Sequence, residues 1–291
     1  MTRLGTIFHP GLAPEALLPA ARAADEAGLD ELWLWEDCFR EGAIASAAAA
    51  LGATSRVRVG LGVLPVPLRN VALTAMELAT LERLHPGRTI PGLGHGVQGW
   101  MAQAGARAAS PLTLLREYTE ALRLLLAGET VTVDGEYVRL EDVRLSWPPQ
   151  GPVALHLAGE GPRTLELVGA LADGLVVPGG YPPQRLRTVV GRLAAGAAAA
   201  GRTRVPEVTV FVPCAFGDQG RSRVEEHRRE HGIPASEPVC EVWGQPQQVA
   251  EGVARLAAAG ADSVALLPLG DLGPREFARA AGEVGALLAS G

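Results

Sequence analysis

Residues Val57–Leu93 read VRVGLGVLPVPLRNVALTAMELATLERLHPGRTIPGL. Valine alternates with Arg58 and glycine over Val57–Val63, the period-two signature of a half-buried strand. Val71–Leu84 carries a helical pattern, and Arg88–Leu93 returns to a short strand. Repeated strand–helix units of this kind imply parallel strands joined by right-handed crossovers.

The alternation extends outward in both directions. Upstream, Leu4–Phe8 and Leu32–Trp35 are strands one and two, separated by a helix over Pro14–Ala27. That helix gathers Leu17, Ala20, Ala24 and Ala27 on one face, with Pro14 suited to its first turn and Gly28 to its stop. Ile44–Leu51 is helical and leads into Val57–Val63. Downstream, Thr113–Leu126 is a helix closed by Gly128. Val153–Leu157, Leu175–Val177, Val208–Phe216 and Ser263–Leu267 supply strands five to eight. The helices Arg163–Leu171, Pro183–Ala200, Val249–Ala259 and Pro274–Leu288 complete the pattern.

Two segments interrupt it. Thr130–Val133 and Tyr137–Leu140 flank Asp134-Gly135, which predicts a β-hairpin inserted after strand four. Arg221–His231 is a run of charge, a solvated helix inserted after strand seven. Eight strand–helix units in 291 residues match a (β/α)8 TIM-type barrel. Closure then requires Leu4–Phe8 to pair with Ser263–Leu267. An open doubly wound sheet is the competing architecture, which periodicity alone does not separate. No Pro/Gly/Ser linker divides the chain, so residues 1–291 are expected to form one barrel domain.

Composition narrows the function classes. Hydrophobic residues are 47% and charged residues 20%, which excludes a disordered chain. A net charge of -6 without a basic stripe argues against nucleic acid as a partner. No apolar run is long enough to span a membrane, and Met1–Pro10 lacks the apolar core of a leader. Cys38, Cys214 and Cys240 are few, distant and odd in number, which points to a reducing cytoplasm.

Several motifs bear on chemistry. Gly94-His95-Gly96-Val97-Gln98-Gly99 matches GxGxxG, yet it follows the fourth strand, and Glu117, near the spacing of a ribose-binding acid, sits in a helical pattern. The dinucleotide reading is therefore rejected. Glycines after a strand still let backbone approach a planar ligand closely, although a tight turn without a ligand would look the same. Ala158-Gly159-Glu160-Gly161-Pro162-Arg163 is a second glycine-rich turn, opening a helix. Free N–H groups there suit phosphate, with Arg163 able to add a charge-assisted bond; an ordinary βα turn is the plain alternative. His227-Arg-Arg-Glu-His231 matches H-x-x-E-H, but it lies among Arg221, Arg223, Glu225, Glu226, Arg228 and Arg229 with no third ligand, so no metal is expected. No GxSxG elbow exists. Asp37, after strand two, and His9, after strand one, stand at strand ends that face a barrel's usual active site. Helix capping and a satisfied structural histidine are their plain alternatives.

In combination and order, certain stretches carry a resemblance. They are Trp33–Asp37, Val59–Pro65, Leu68–Ala79, Leu84–Arg88, Pro91–Gly96, Gly161–Arg163 with Ala172–Gly174, and Val242–Pro246 with Ala258–Asp262. Together they resemble the luciferase-like monooxygenase superfamily over nearly the whole chain, and most closely its F420-dependent branch, which includes methylenetetrahydromethanopterin reductase-like proteins. The resemblance implies a barrel enzyme holding the deazaflavin F420, with FMN as the alternative. It implies a bulge after strand three with a non-proline cis peptide at Gly62-Val63, behind the cofactor ring. It places Cys38, Gly62, Val63, Leu64, Gly94, Gly96 and Val97 with the cofactor ring, and Ala158, Gly159, Glu160, Gly161 and Arg163 with its phosphate. This chain departs from many F420 relatives, which carry Asp-His where Asp37-Cys38 stands. Cysteine is a weak hydrogen-bond donor. Val97 and Trp100 also replace polar groups found near the substrate in some relatives.

The resulting expectation is hydride transfer between bound F420 and a small organic substrate, with Asp37, His95 and His9 as the polar catalytic candidates. Arg69, Arg163 and Arg185 are expected to face the mouth and meet the cofactor's acidic tail. An FMN-dependent monooxygenase fed by a separate reductase, and a catalytically silent cofactor-binding barrel, are the rival readings. A homo-oligomer, a dimer in the first instance, is the expected assembly.

Overall fold

A computed structural model describes residues 2–290. The chain runs through β1 (Arg3–Ile7), α1 (Leu17–Glu26), β2 (Glu31–Leu34), α2 (Ala43–Ala53), β3 (Arg58–Pro65), α3 (Val71–Leu84), β4 (Thr89–Gly94), α4 (Gln98–Gln103) and α5 (Pro111–Leu126). It continues through β5 (Val131–Asp134), β6 (Arg139–Val143), β7 (His156–Ala158), α6 (Pro162–Leu171), β8 (Gly174–Val177), α7 (Pro183–Ala199), β9 (Glu207–Phe216), α8 (Gly220–Glu230), β10 (Val242–Gly244), α9 (Pro246–Ala257), β11 (Ser263–Pro268) and α10 (Pro274–Ser290).

Eight parallel strands close in the order β1-β2-β3-β4-β7-β8-β9-β11 and back to β1. The closing pair holds Arg3 opposite Ser263 and Leu4 opposite Val264, so the strand pairing expected from the sequence is present and the open-sheet alternative is excluded. Local sequence sets the helix starts. Asn70 caps α3 by accepting the Ala72 N–H at 2.9 Å, and proline occupies the first turn of α5, α6, α7 and α9, where a missing N–H costs nothing.

Two apolar layers result. The larger lies between helices and sheet. The smaller fills the barrel with Ile7, Trp33, Ile90, Val176, Phe211, Ala265 and Leu267. The barrel floor is polar. Glu31, 1% exposed, accepts from Arg3 Nε at 3.0 Å, from Trp33 Nε1 at 2.8 Å and from Ser263 Oγ at 2.6 Å, and it also pairs with Arg58. A buried carboxylate with every lone pair engaged pins the first, second, third and last barrel strands at one point.

The structure corrects the sequence reading in three places. The hairpin strands are β5 and β6, but Asp134 pairs with Arg139, so the connection is a four-residue loop rather than an Asp-Gly turn. Glu117 of α5 organises that loop by accepting N–H groups from Glu136, Tyr137 and Val138 at 2.9–3.2 Å. Secondly, β10 adds a parallel strand to the C-terminal end of β9, with Val242 opposite Cys214. Thirdly, α4 forms directly after the glycine-rich turn that follows β4. Its one buried residue is Met101, whose sulfur lies where a Cβ on Gly96 would stand.

Candidate functional site

The C-terminal ends of six barrel strands enclose a cavity of about 340 Å³, within the size range of small-molecule sites. Strand β2 delivers Trp35, Glu36 and Asp37; β3 delivers Gly62 and Val63; β4 delivers Gly94, His95, Gly96 and Val97. Ala158 and Gly159 follow β7, Val176 and Pro178 come from the end of β8, and Phe211 from β9; Trp100 of α4 closes the side. Broader depressions exist on the outer flank, such as one of about 730 Å³ between α5, α6 and α7. Those lie away from the strand ends where barrels assemble their chemistry.

Missing side chains shape the cavity. The β3–β4 register shifts between Leu61 and Leu64, and the Gly62-Val63 peptide in that bulge is cis, as is Cys38-Phe39. A Cβ on Gly62 would come within 2.7 Å of Phe211 Cζ, and one on Gly94 within 2.5 Å of Val63 Cγ2. Both positions therefore hold glycine because backbone and side chains already occupy the neighbouring space. Val63 lines the cavity, whereas Leu64, next along the strand, is fully buried in the outer layer. Alternation along the strand thus removes Leu64 from the expected contact set.

The polar groups divide by what they already bond. Asp37 reaches the cavity, and burial raises its carboxyl pKa, against a smaller lowering by the Arg40 cation. His95 also lines it, but both ring nitrogens are committed: Nδ1 lies 3.1 Å from the Pro111 carbonyl and Nε2 3.3 Å from Thr164 Oγ1. A carbonyl can only accept, so Nδ1 carries the proton and Nε2 of the neutral ring accepts from Thr164. Burial lowers the His95 pKa, with the Pro111 bond opposing it. His9 stands next door, lining a separate apolar cavity of about 270 Å³ with Phe8, Leu12 and Phe277. Its Nδ1 accepts the Gly11 N–H at 2.9 Å. Burial and then the Arg40 cation lower its pKa, opposed by Asp37. Cys38 is half-buried outside the cavity wall, its thiol pKa raised first by burial and then by Glu36 and Asp37.

One group escaped the sequence reading. Trp35 stacks on Phe211 with ring centroids 5.9 Å apart, and its buried indole N–H has no partner. The signal was present in Trp33-Leu34-Trp35: alternation sends Trp33 into the barrel, and the end of the strand leaves Trp35 at the rim.

The arginines expected at the mouth behave differently from one another. Arg69 bonds Glu36 through Nε at 3.2 Å and Glu77 through Nη1 at 2.8 Å, so its charge is already matched. Arg185 lies 3.7 Å from the Tyr181 ring centroid, donates to its hydroxyl at 2.8 Å and stands 3.9 Å from Glu160. Arg163 is exposed and faces the outer groove beside Arg116. At the turn before α6, Ala158 and Gly159 reach the cavity, while Glu160, Gly161 and Arg163 lie beyond its wall. His227 of α8 and His231 at its C-cap lie with ring centroids 4.2 Å apart, tilted by 41°. Among the described residues no three His, Cys, Asp or Glu side chains converge on a metal position, and no helix is long and apolar enough to cross a membrane.

The parallel barrel itself is matched among known proteins. Residues 2–239 fit the family model of luciferase-like monooxygenases, and the chain belongs to that family. It is 31% identical over 182 residues to a 5,10-methylenetetrahydromethanopterin reductase from Methanolobus tindarius, covering 62% of this chain and 55% of that one. It is 32% identical over 233 residues to an F420-dependent glucose-6-phosphate dehydrogenase from Kineococcus radiotolerans, covering 74% and 68% respectively. The match thus spans little more than half of the first relative. In fold it resembles the coenzyme F420-dependent tetrahydromethanopterin reductase of Methanopyrus kandleri, with a TM-score of 0.83, 19% identity and 97% coverage of both chains. It resembles equally the FMN-bound oxygenating constituent of 3,6-diketocamphane monooxygenase from Pseudomonas putida, with a TM-score of 0.82, 17% identity and coverage of 100% and 98%.

Proposed function

We propose that this chain is an oxidoreductase that holds F420 in the strand-end cavity for hydride transfer to or from a small organic substrate. The carrying observation is the cavity itself. Gly62 and Gly94 leave a wall that a Cβ would fill, Trp35 offers a buried donor with no partner, and Val63, Val97, Trp100, Val176 and Phe211 add apolar wall beside the polar Glu36, Asp37 and His95. A planar heteroaromatic ring with carbonyl acceptors fits that set. The relatives at 31% and 32% identity, a reductase and an F420-dependent dehydrogenase, support the deazaflavin over FMN.

When bound, the deazaflavin supplies a carbon centre that exchanges hydride and reacts poorly with oxygen, so the protein's task is positioning and exclusion of water. Gly62, Val63, Gly94 and Ala158 would line the ring's face. Asp37 is the cavity carboxyl without a hydrogen-bonded side-chain partner. Its raised pKa suits it to hold or accept a proton beside the ring. His95, bonded at both nitrogens, would act as a brace between the α5 and α6 starts rather than as an acid. The backbone N–H groups of Gly159, Glu160 and Gly161, at the turn that opens α6, are assigned to the cofactor phosphate, while Arg163 faces the outer groove.

Calorimetric titration of the purified chain with F420 and with FMN tests this. Saturable F420 binding, with FMN at least tenfold weaker, is expected. Tight FMN binding without F420 binding would replace the proposal by the monooxygenase reading, and binding of neither would leave a silent barrel.

A further inference from the structure

The cavity also carries information on the charge of what enters it. This rests on the reading above only in taking the strand-end cavity as the place where substrate meets cofactor. Its walls are aromatic at Trp35, Trp100 and Phe211 and aliphatic at Val63, Val97 and Val176. No cation lines it among the described residues. The chain contains no lysine, so all 26 of its basic side chains are arginines, and those near the mouth are committed. Arg69 lies between Glu36 and Glu77. Arg185 serves Tyr181 and Glu160. Arg40 donates to the Pro10 carbonyl at 2.6 Å. Arg163 faces the outer groove.

The fixed charge on the wall is negative. Glu36 shares the single guanidinium of Arg69 with Glu77, which leaves that cluster one charge short of neutral, and Asp37 is the second carboxyl of the wall. A phosphate or carboxylate entering this space would shed its water and find no guanidinium, ammonium or metal to replace it, and unpaired buried charge is strongly disfavoured.

We infer that the substrate is a largely apolar molecule without negative charge, and that phosphorylated sugars and carboxylates are excluded. The selectivity therefore departs from that of the relative named as a glucose-6-phosphate dehydrogenase, although the two chains are 32% identical. Glucose 6-phosphate is a dianion near neutral pH, and this cavity presents nothing to receive it. The missing cation also tells which change would admit one. Val97 stands at the rim, 53% exposed, at the N-cap of α4 with extended backbone, where an arginine would reach the opening without entering the core.

The test uses F420-saturated protein and ligand-observed NMR with three probes: cyclohexanone, cyclohexanecarboxylate and glucose 6-phosphate. Cyclohexanone is expected to bind about tenfold or more tightly than each anionic probe. Val97→Arg, with Trp100→Arg as a second variant should the first fail to fold, is expected to improve binding of the two anionic probes about tenfold, an effect that salt weakens. Wild-type binding of either anionic probe as tight as that of cyclohexanone would overturn the inference. So would the absence of cyclohexanone binding at its solubility limit, or folded arginine variants with no gain for anions. The F420 titration on the same sample reads the cofactor assignment separately. If F420 does not bind, the three probes are run on the unloaded protein, whose walls predict the same order.

Discussion

His156 sits 5% exposed at the start of β7, its ring centroid 6.4 Å from that of Trp33. Its Nδ1 has no partner. Gly174 on the neighbouring strand has no side chain because the imidazole fills that space. Burial holds the His156 pKa at about 4, below the ordinary 6.5, even though Glu31, Glu207 and Asp173 pull it upward. The folded state therefore resists a proton that the unfolded chain accepts. Folding stability is fully present above pH 6.5 and falls as pH drops toward 4, by about 1.4 kcal/mol per pH unit. By pH 5 the loss from this one group reaches about 2 kcal/mol, and near pH 4 about 3 kcal/mol, a sizeable part of a typical domain's stability. Replacing it by leucine removes the titration. Urea unfolding of both proteins at pH 7.5, 6.5, 5.5 and 5.0 is the assay. Packing changes shift the variant's curve by a constant, but only the wild type should carry the extra slope. Curves that stay parallel to within about 0.5 kcal/mol would mean that the buried imidazole accepts its proton without penalty, and the argument from desolvation would fail.

Three further outcomes follow from the same geometry. Gly94→Ala places a methyl 2.5 Å from Val63 and should weaken F420 binding tenfold or more, read by calorimetry, while thermal stability falls only modestly. Trp35→Phe keeps the stack on Phe211 but deletes the unpartnered donor; F420 affinity should drop by a factor of about 5–10, as for a hydrogen bond of about 1 kcal/mol, and an unchanged affinity would mean that the indole N–H meets no ligand. Glu31→Ala strands Arg3 and leaves Ser263 and Trp33 Nε1 without their acceptor; a loss of about 3–5 kcal/mol in chemical denaturation is expected, against a negligible change for the exposed i,i+4 pair partner in Glu225→Ala.

Much of the barrel was legible because its signals are local and repeated. Val57–Val63 alternates, Val71–Leu84 does not, and the same contrast recurs along the chain. What escaped the sequence depends on partners far away. Val242–Gly244 is only three residues long and extended because β9 overruns the barrel and offers it an edge. The stretch Gln98–Gln103 carries a glycine and one buried residue, too little periodicity to announce a helix. Site residues divide the same way. Gly94 and Asp37 were placed at the cavity by their position after strands, since strand ends in a barrel converge whatever the side chain, and Gly62 by the family resemblance. Leu64, Arg69 and Arg185 were misplaced because orientation and ion pairing are tertiary facts: nothing in Leu68-Arg69-Asn70 reveals that Glu36 and Glu77 will close on that guanidinium. Trp35 belongs to both classes, visible as a strand-end aromatic but not as an unpaired donor.

The pairing of β1 with β11 joins residues near opposite ends of the chain, Arg3 with Ser263. Its consequence reaches into synthesis. Until Ser263–Pro268 has left the ribosome, the nascent sheet has two open edges, β1 on one side and β9 on the other. Each presents unpaired backbone to any neighbouring chain, and the last contact to form is the one with the longest loop to close. A ribosome that stalls late in this message, or a protease that removes the final strand, therefore leaves more than a barrel short of one stave. It leaves a long, twisted, apolar sheet whose two sides can add further copies, the form in which this sequence is most prone to aggregate.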